Sequence, residues 1–86
     1  MTYQKFKIGT VEEIETILDR LNAGRGQKPF PLYRLTPATE QVNLWVIEEE
    51  TDDYLDCAMV EITEGVVYAI SPDVYTVLLQ MFGKVL

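Results

Sequence analysis

Two periods alternate along this chain of 86 residues, one of two residues and one between three and four, and the points where one gives way to the other mark its elements. Tyr3 to Ile8 sets Tyr3, Lys5 and Lys7 against Gln4, Phe6 and Ile8, a short strand with one basic face, which Gly9 is expected to end. Thr10 then stands three residues before Glu13 in a capping-box pattern. Behind that pair Val11, Ile14, Ile17, Leu18 and Leu21 recur at helical spacing. A first helix is therefore predicted over about Val11 to Asn22. Glu12, Glu13 and Glu15 fall in its opening turns, where the partial positive charge of the helix end stabilises acids.

Ala23-Gly24-Arg25-Gly26-Gln27-Lys28-Pro29 stops that helix with glycine and proline. Phe30 to Leu35 reads as a strand that Pro29 and Pro31 confine to a sheet edge, and Thr36-Pro37-Ala38-Thr39 as a turn or a single helical turn. From Val42 onward the alternation sharpens into a meander: Val42 to Glu48, Tyr54 to Ile62 and Val66 to Ile70. An acidic turn and Thr63-Glu64-Gly65 are its two hairpin connections.

Within the meander Val42, Leu44 and Val46 oppose Asn43, Trp45 and Ile47, while Ala58, Val60 and Ile62 oppose Leu55, Cys57 and Met59. Apolar groups thus lie on both faces, which an antiparallel sheet with one wet face does not require. Trp45, on one of these faces with Ile47, is expected in the core or as an interface anchor, and the same two roles are open to Tyr68.

Ser71-Pro72-Asp73 is a helix start, with serine to cap free amides, proline at the first helical position and aspartate matched to the dipole. The last helix is predicted over Pro72 to about Phe82, with Gly83 closing it. Val74, Val77, Leu78 and Met81 make one apolar stripe, and Tyr75, Leu79 and Phe82 a second. A helix apolar over most of its circumference needs cover on more than one side.

Composition narrows the class. A single domain of this length buries only about 60–65% of its unfolded surface. Fourteen acids against seven bases give a net charge of −7, which disfavours binding to a nucleic-acid backbone and favours a basic partner. Cys57 is the sole cysteine, so no internal disulfide forms, and its strand neighbours predict a small core hydrophobe. The charged opening residues predict no secretory leader, no apolar run approaches a membrane span, and the expected address is cytoplasmic.

Candidate chemistry is sparse. The chain has no histidine, which excludes hydrolases built on it. Carboxylate catalysis needs an acid held in an apolar cleft; Glu61 is the one acid inside a predicted strand, and it is expected to point outward near the strand end. Gly24 to Lys28 follows a helix instead of preceding one, so its polarity is wrong for a phosphate cradle. Arg25, Lys28 and Arg34, with Phe30 and Tyr33 between them, form at most a small basic and aromatic patch. The acidic run lacks the ligand spacing and glycine of a calcium loop, and no metal or cofactor is expected.

The densest feature is that run itself: Glu48, Glu49, Glu50, Asp52, Asp53 and Asp56, six carboxylates in nine residues at the tip of a predicted hairpin. The sequence therefore predicts one α+β domain over residues 1–86, with an antiparallel sheet of four to five strands in the order β-α-β-β-β-β-α and two helices mainly on one face. Its expected role is that of a non-enzymatic acidic binding module, an inhibitor or regulator that docks the carboxylate hairpin on a basic, nucleic-acid-binding protein surface. The alternatives are an assembly subunit, such as a homodimer built through Tyr75, Leu79, Phe82, Trp45 and the second sheet face, and a regulatory domain holding a small anionic ligand in the Gly24 to Arg34 loop.

Overall fold

The computed structural model describes residues 4–38 and 42–85. Among the described residues seven elements follow in the expected order: β1 (Phe6–Thr10), α1 (Val11–Gly24), β2 (Leu32–Pro37), β3 (Leu44–Glu50), β4 (Leu55–Thr63), β5 (Val66–Ala69) and α2 (Pro72–Phe82). All five strands join one antiparallel sheet in the order β1-β5-β4-β3-β2.

The local signals act as their chemistry dictates. Thr10 Oγ1 accepts from the Glu13 amide at 3.1 Å, while Glu13 Oε1 accepts from the Thr10 amide at 2.9 Å. That bond from the Thr10 backbone, helped by the Thr10 side chain, holds the Glu13 carboxyl below the ordinary carboxylate range. Ser71 Oγ accepts from the Val74 amide to open α2, and Gly83 caps its end. In the β4–β5 turn both central residues, Glu64 (φ 53°) and Gly65 (φ 77°), take left-handed dihedrals, which suit the twist of a two-residue hairpin. The Gly65 carbonyl also accepts from the Val11 amide, tying that turn to the start of α1.

Strand β1 and strand β2 are the two edges of the sheet, and α1 runs between them. Its 14 residues span about 21 Å, close to the roughly 19 Å across four inter-strand gaps. Both helices lie on one face. The core joins Ile14, Leu18 and Leu21 of α1 with Leu78, Met81 and Phe82 of α2, over Tyr33, Ile47, Ala58, Val60, Val67 and Ala69 of the sheet.

Several expectations shift. Strand β1 starts at Phe6 and runs through Gly9 and Thr10, because a bulge between Lys7 and Gly9 lets both later residues pair with β5; Tyr3 lies outside the described residues. Thr36 and Pro37 extend β2 where a turn was expected, and Thr39 is outside the described residues. Val42 and Asn43 precede β3 instead of belonging to it, with Asn43 at φ 69°. Around α2 the inward residues are Val74, Tyr75, Leu78, Met81 and Phe82, spaced i, i+1, i+4, i+7, i+8. That arc cuts across both apolar stripes and leaves Val77 and Leu79 half-exposed.

Candidate functional site: the acidic β ribbon and its flanks

Strands β3 and β4 form a ribbon paired in register from Leu44↔Glu61 to Glu50↔Leu55, and β2 runs beside β3 over the same length, from Pro37↔Trp45 to Leu32↔Glu50, so that only the turn projects beyond the sheet. Its turn is confined to residues 51–54. Thr51 Oγ1 accepts from the amides of Asp53 and Tyr54, and the Thr51 amide donates to the Tyr54 carbonyl at 2.9 Å, so the turn is pinned by one hydroxyl. Residues 52–57 are all exposed, whichever face of the ribbon they occupy. Leu55, Asp56 and Cys57 are strand residues open to solvent, Leu55 and Cys57 on the sheet face that the helices leave open.

The six carboxylates divide into two groups. Arg34 of β2 pairs with Glu48 at 3.0 Å and Glu50 at 3.5 Å on the face away from the helices, where Thr36 also donates to Glu48. On the helix face, Glu49 accepts from the Tyr33 hydroxyl and stands 3.6 Å from Lys84 Nζ. Burial first, and then the bond and charge of Glu49, push the Tyr33 phenol up to about 12. Glu48, Glu49 and Glu50 thus brace the ribbon against its neighbours. Asp52, Asp53 and Asp56 form no ion pair among the described residues and stand beside Tyr54 and Leu55, each about half-exposed at 52% and 51%.

Beside the ribbon, on the helix side, lies a groove of about 390 Å³ lined by Ile47, Ala58, Val77 and Met81 on its apolar part and by Glu49, Asp56, Gln80 and Lys84 at its polar part. Glu49 and Asp56 are direct cross-strand partners. Like charges so placed repel.

The outer sheet face carries Leu44, Val46, Leu55, Cys57 and Met59 between two ion-paired margins, Lys5–Glu61 at 2.7 Å and Arg34 with Glu48 and Glu50. Lys5 also sits over the Tyr68 ring, 5.0 Å from its centroid. Glu61 thus points outward near its strand end, as the sequence suggested.

Cys57 is exposed, which corrects its expected place in the core. Alternation put it with Leu55 and Met59, and that side of the sheet is the one the helices leave open. Of the residues considered for self-association, Phe82 is buried in the core, Tyr75 stacks on Phe6 with centroids 5.5 Å apart, and Trp45 packs against the core; only Leu79 is half-exposed. These aromatic groups belong to the helix–sheet packing of one chain. The basic patch does not assemble either. Arg25 Nη1 donates inward to the carbonyls of Lys28 and Pro29, Arg34 is taken by the ribbon glutamates, and Tyr33 is buried.

Among the described residues no cluster of three or more His, Cys, Asp or Glu side chains could hold a metal ion, and no helix is long and apolar enough to cross a membrane. Compared with family models, curated proteins and solved structures, the chain matches none.

Proposed function

We propose that this protein is a non-enzymatic binding module that docks the tip of its β3–β4 ribbon on a basic protein surface. One observation carries the reading: three carboxylates without ion pairs, Asp52, Asp53 and Asp56, surround two half-exposed large side chains, Tyr54 and Leu55, on a turn fixed by Thr51. An aromatic anchor ringed by charge on a stiff support suits an interface, since the ring provides contact area while the carboxylates steer a cationic partner. Glu48, Glu49 and Glu50 hold the ribbon in position through Arg34 and Tyr33. The test is capture of a basic protein from a native extract by the wild-type chain and by the triple variant Asp52→Asn, Asp53→Asn, Asp56→Asn, at low and high salt. The same partner is to be retained by the wild type, released by salt and lost by the variant; retention indifferent to both sinks the reading.

The outer sheet face favours a second reading, assembly with another copy. Its charged residues are Lys5, Lys7 and Arg34 against Glu48, Glu50 and Glu61, a balance of zero on a chain of −7. A like-charged copy meets least repulsion there. Light scattering over a concentration series decides it, and a strict monomer ends it.

A further inference from the structure

The groove between α2 and the ribbon carries an inference that rests on the ribbon-docking reading and extends it to the partner's chemistry. Two acids of adjacent strands, Glu49 and Asp56, face each other across the β3–β4 pair at its polar end. Such a pair repels unless a cation stands near it. The residues beyond it, Ala58, Met81 and the half-exposed Val77, offer an apolar wall backed by the buried Ile47. An apolar wall ending in paired acids is complementary to a lysine side chain, whose four methylenes pack on hydrocarbon while its ammonium reaches the carboxylates.

The chain already supplies a partial occupant. Lys84, in the turn that follows α2, lines the same groove and brings its Nζ to 3.6 Å from Glu49 Oε2. That separation exceeds hydrogen-bond length. The Lys84 side chain is also 57% exposed, so it makes a loose, solvated pair. Asp56 lies both in this groove and at the exposed ribbon tip, so the two surfaces are continuous.

We propose that the groove receives a lysine side chain of the basic protein partner, which replaces Lys84 on Glu49 and Asp56, so that Lys84 is an internal competitor lowering the affinity of the free module. The ribbon tip steers the partner, and the groove reads one residue of it.

The probe is an amidated peptide of lysines spaced by Gly-Ser, followed by fluorescence anisotropy at low salt, beside the same peptide with every lysine acetylated. Lys84→Ala is expected to tighten binding about three-fold and Glu49→Gln to weaken it about five-fold, the range of a partly exposed ion pair. Lys7→Ala makes the same change in net charge on the outer sheet face, away from the groove, and is expected to leave affinity near the wild-type value. Methyl NMR is to show Ala58, Val77 and Met81 shifting with the lysine peptide and not with the acetylated one. If Glu49→Gln fails to fold by circular dichroism, Asp56→Asn takes its place with the same expected weakening.

Equal affinities for Lys84→Ala and Lys7→Ala, or unmoved groove methyls on binding, overturn the proposal. Binding that depends on Asp52 and Asp53 but not on Glu49 or Lys84 overturns it while the ribbon-tip reading stands. Binding indifferent to both sets overturns both.

Discussion

The side-chain amide of Asn22 grips both main-chain groups of Tyr33: its Nδ2 donates to the Tyr33 carbonyl at 2.9 Å and its Oδ1 accepts from the Tyr33 amide at 2.8 Å. One side chain near the end of α1 thereby does for strand β2 what a neighbouring strand would do, at the sheet edge where unpaired backbone invites association. Pro31 and Pro37, which have no amide hydrogen, flank this stretch of the edge. Asn22→Ala removes two bonds to partly buried groups, and the expected loss is about 2 kcal/mol of unfolding free energy in urea titration. Asn22→Asp, which keeps the acceptor but sets a carboxylate oxygen against the Tyr33 carbonyl, is expected to be no more stable than the alanine variant at neutral pH.

Tyr33 also sets a limit at high pH. With its folded value near 12 and an ordinary tyrosine value of 10, the native state holds the phenolic proton over an interval where the unfolded chain has released it. The associated stability is complete below pH 10 and declines as pH rises toward 12. Tyr33→Phe removes this dependence, so its unfolding free energy is expected to fall less steeply over that interval. The near-ultraviolet phenolate titration of the wild type minus that of the variant is expected to have its midpoint near 12.

The β4–β5 turn offers a gain. Glu64 at φ 53° occupies a conformation that asparagine adopts with less strain, and Asn-Gly is the preferred pair for such a hairpin. Glu64→Asn is expected to raise stability by about 0.5 kcal/mol, and Gly65→Ala, at φ 77°, to lower it by about 1–2 kcal/mol, both read from melting temperature.

Cys57 is accessible without unfolding. Its labelling by a thiol reagent is expected to proceed in the native protein at a rate that low concentrations of urea leave unchanged, whereas a core thiol would wait for an opening event. Cys57→Ser is expected to alter stability by no more than about 0.5 kcal/mol.

Much of the architecture was legible because its signals are local. Thr10 with Glu13, Ser71 with Pro72, and Glu64 with Gly65 each encode a boundary within four residues, and the boundaries fall there. The register of the edge strands was not, since the bulge at Gly9 and the extension of β2 through Pro37 depend on pairing with β5 and β3. Alternation separated Cys57 and Met59 from Ala58 and Val60, yet both sets are apolar, and nothing in that pattern says which one the helices cover. The acidic run was visible as composition. Its division into bracing glutamates and exposed aspartates depends on Arg34 lying opposite Glu48, on Tyr33 lying opposite Glu49, and on Lys84, which is far away in sequence.

Strands β2 to β5 follow one another along the chain, each bonded to the next, whereas β1 has β5 as its sole neighbour in the sheet. The opening segment must therefore wait for one that comes some sixty residues later, Phe6 for Ala69 and Thr10 for Val66. Closing so long a loop before any contact rewards it is slow. On a translating ribosome the meander can assemble as it emerges, while α1 still lacks the β1 margin of its floor, and the strand made earliest is the last to join the sheet.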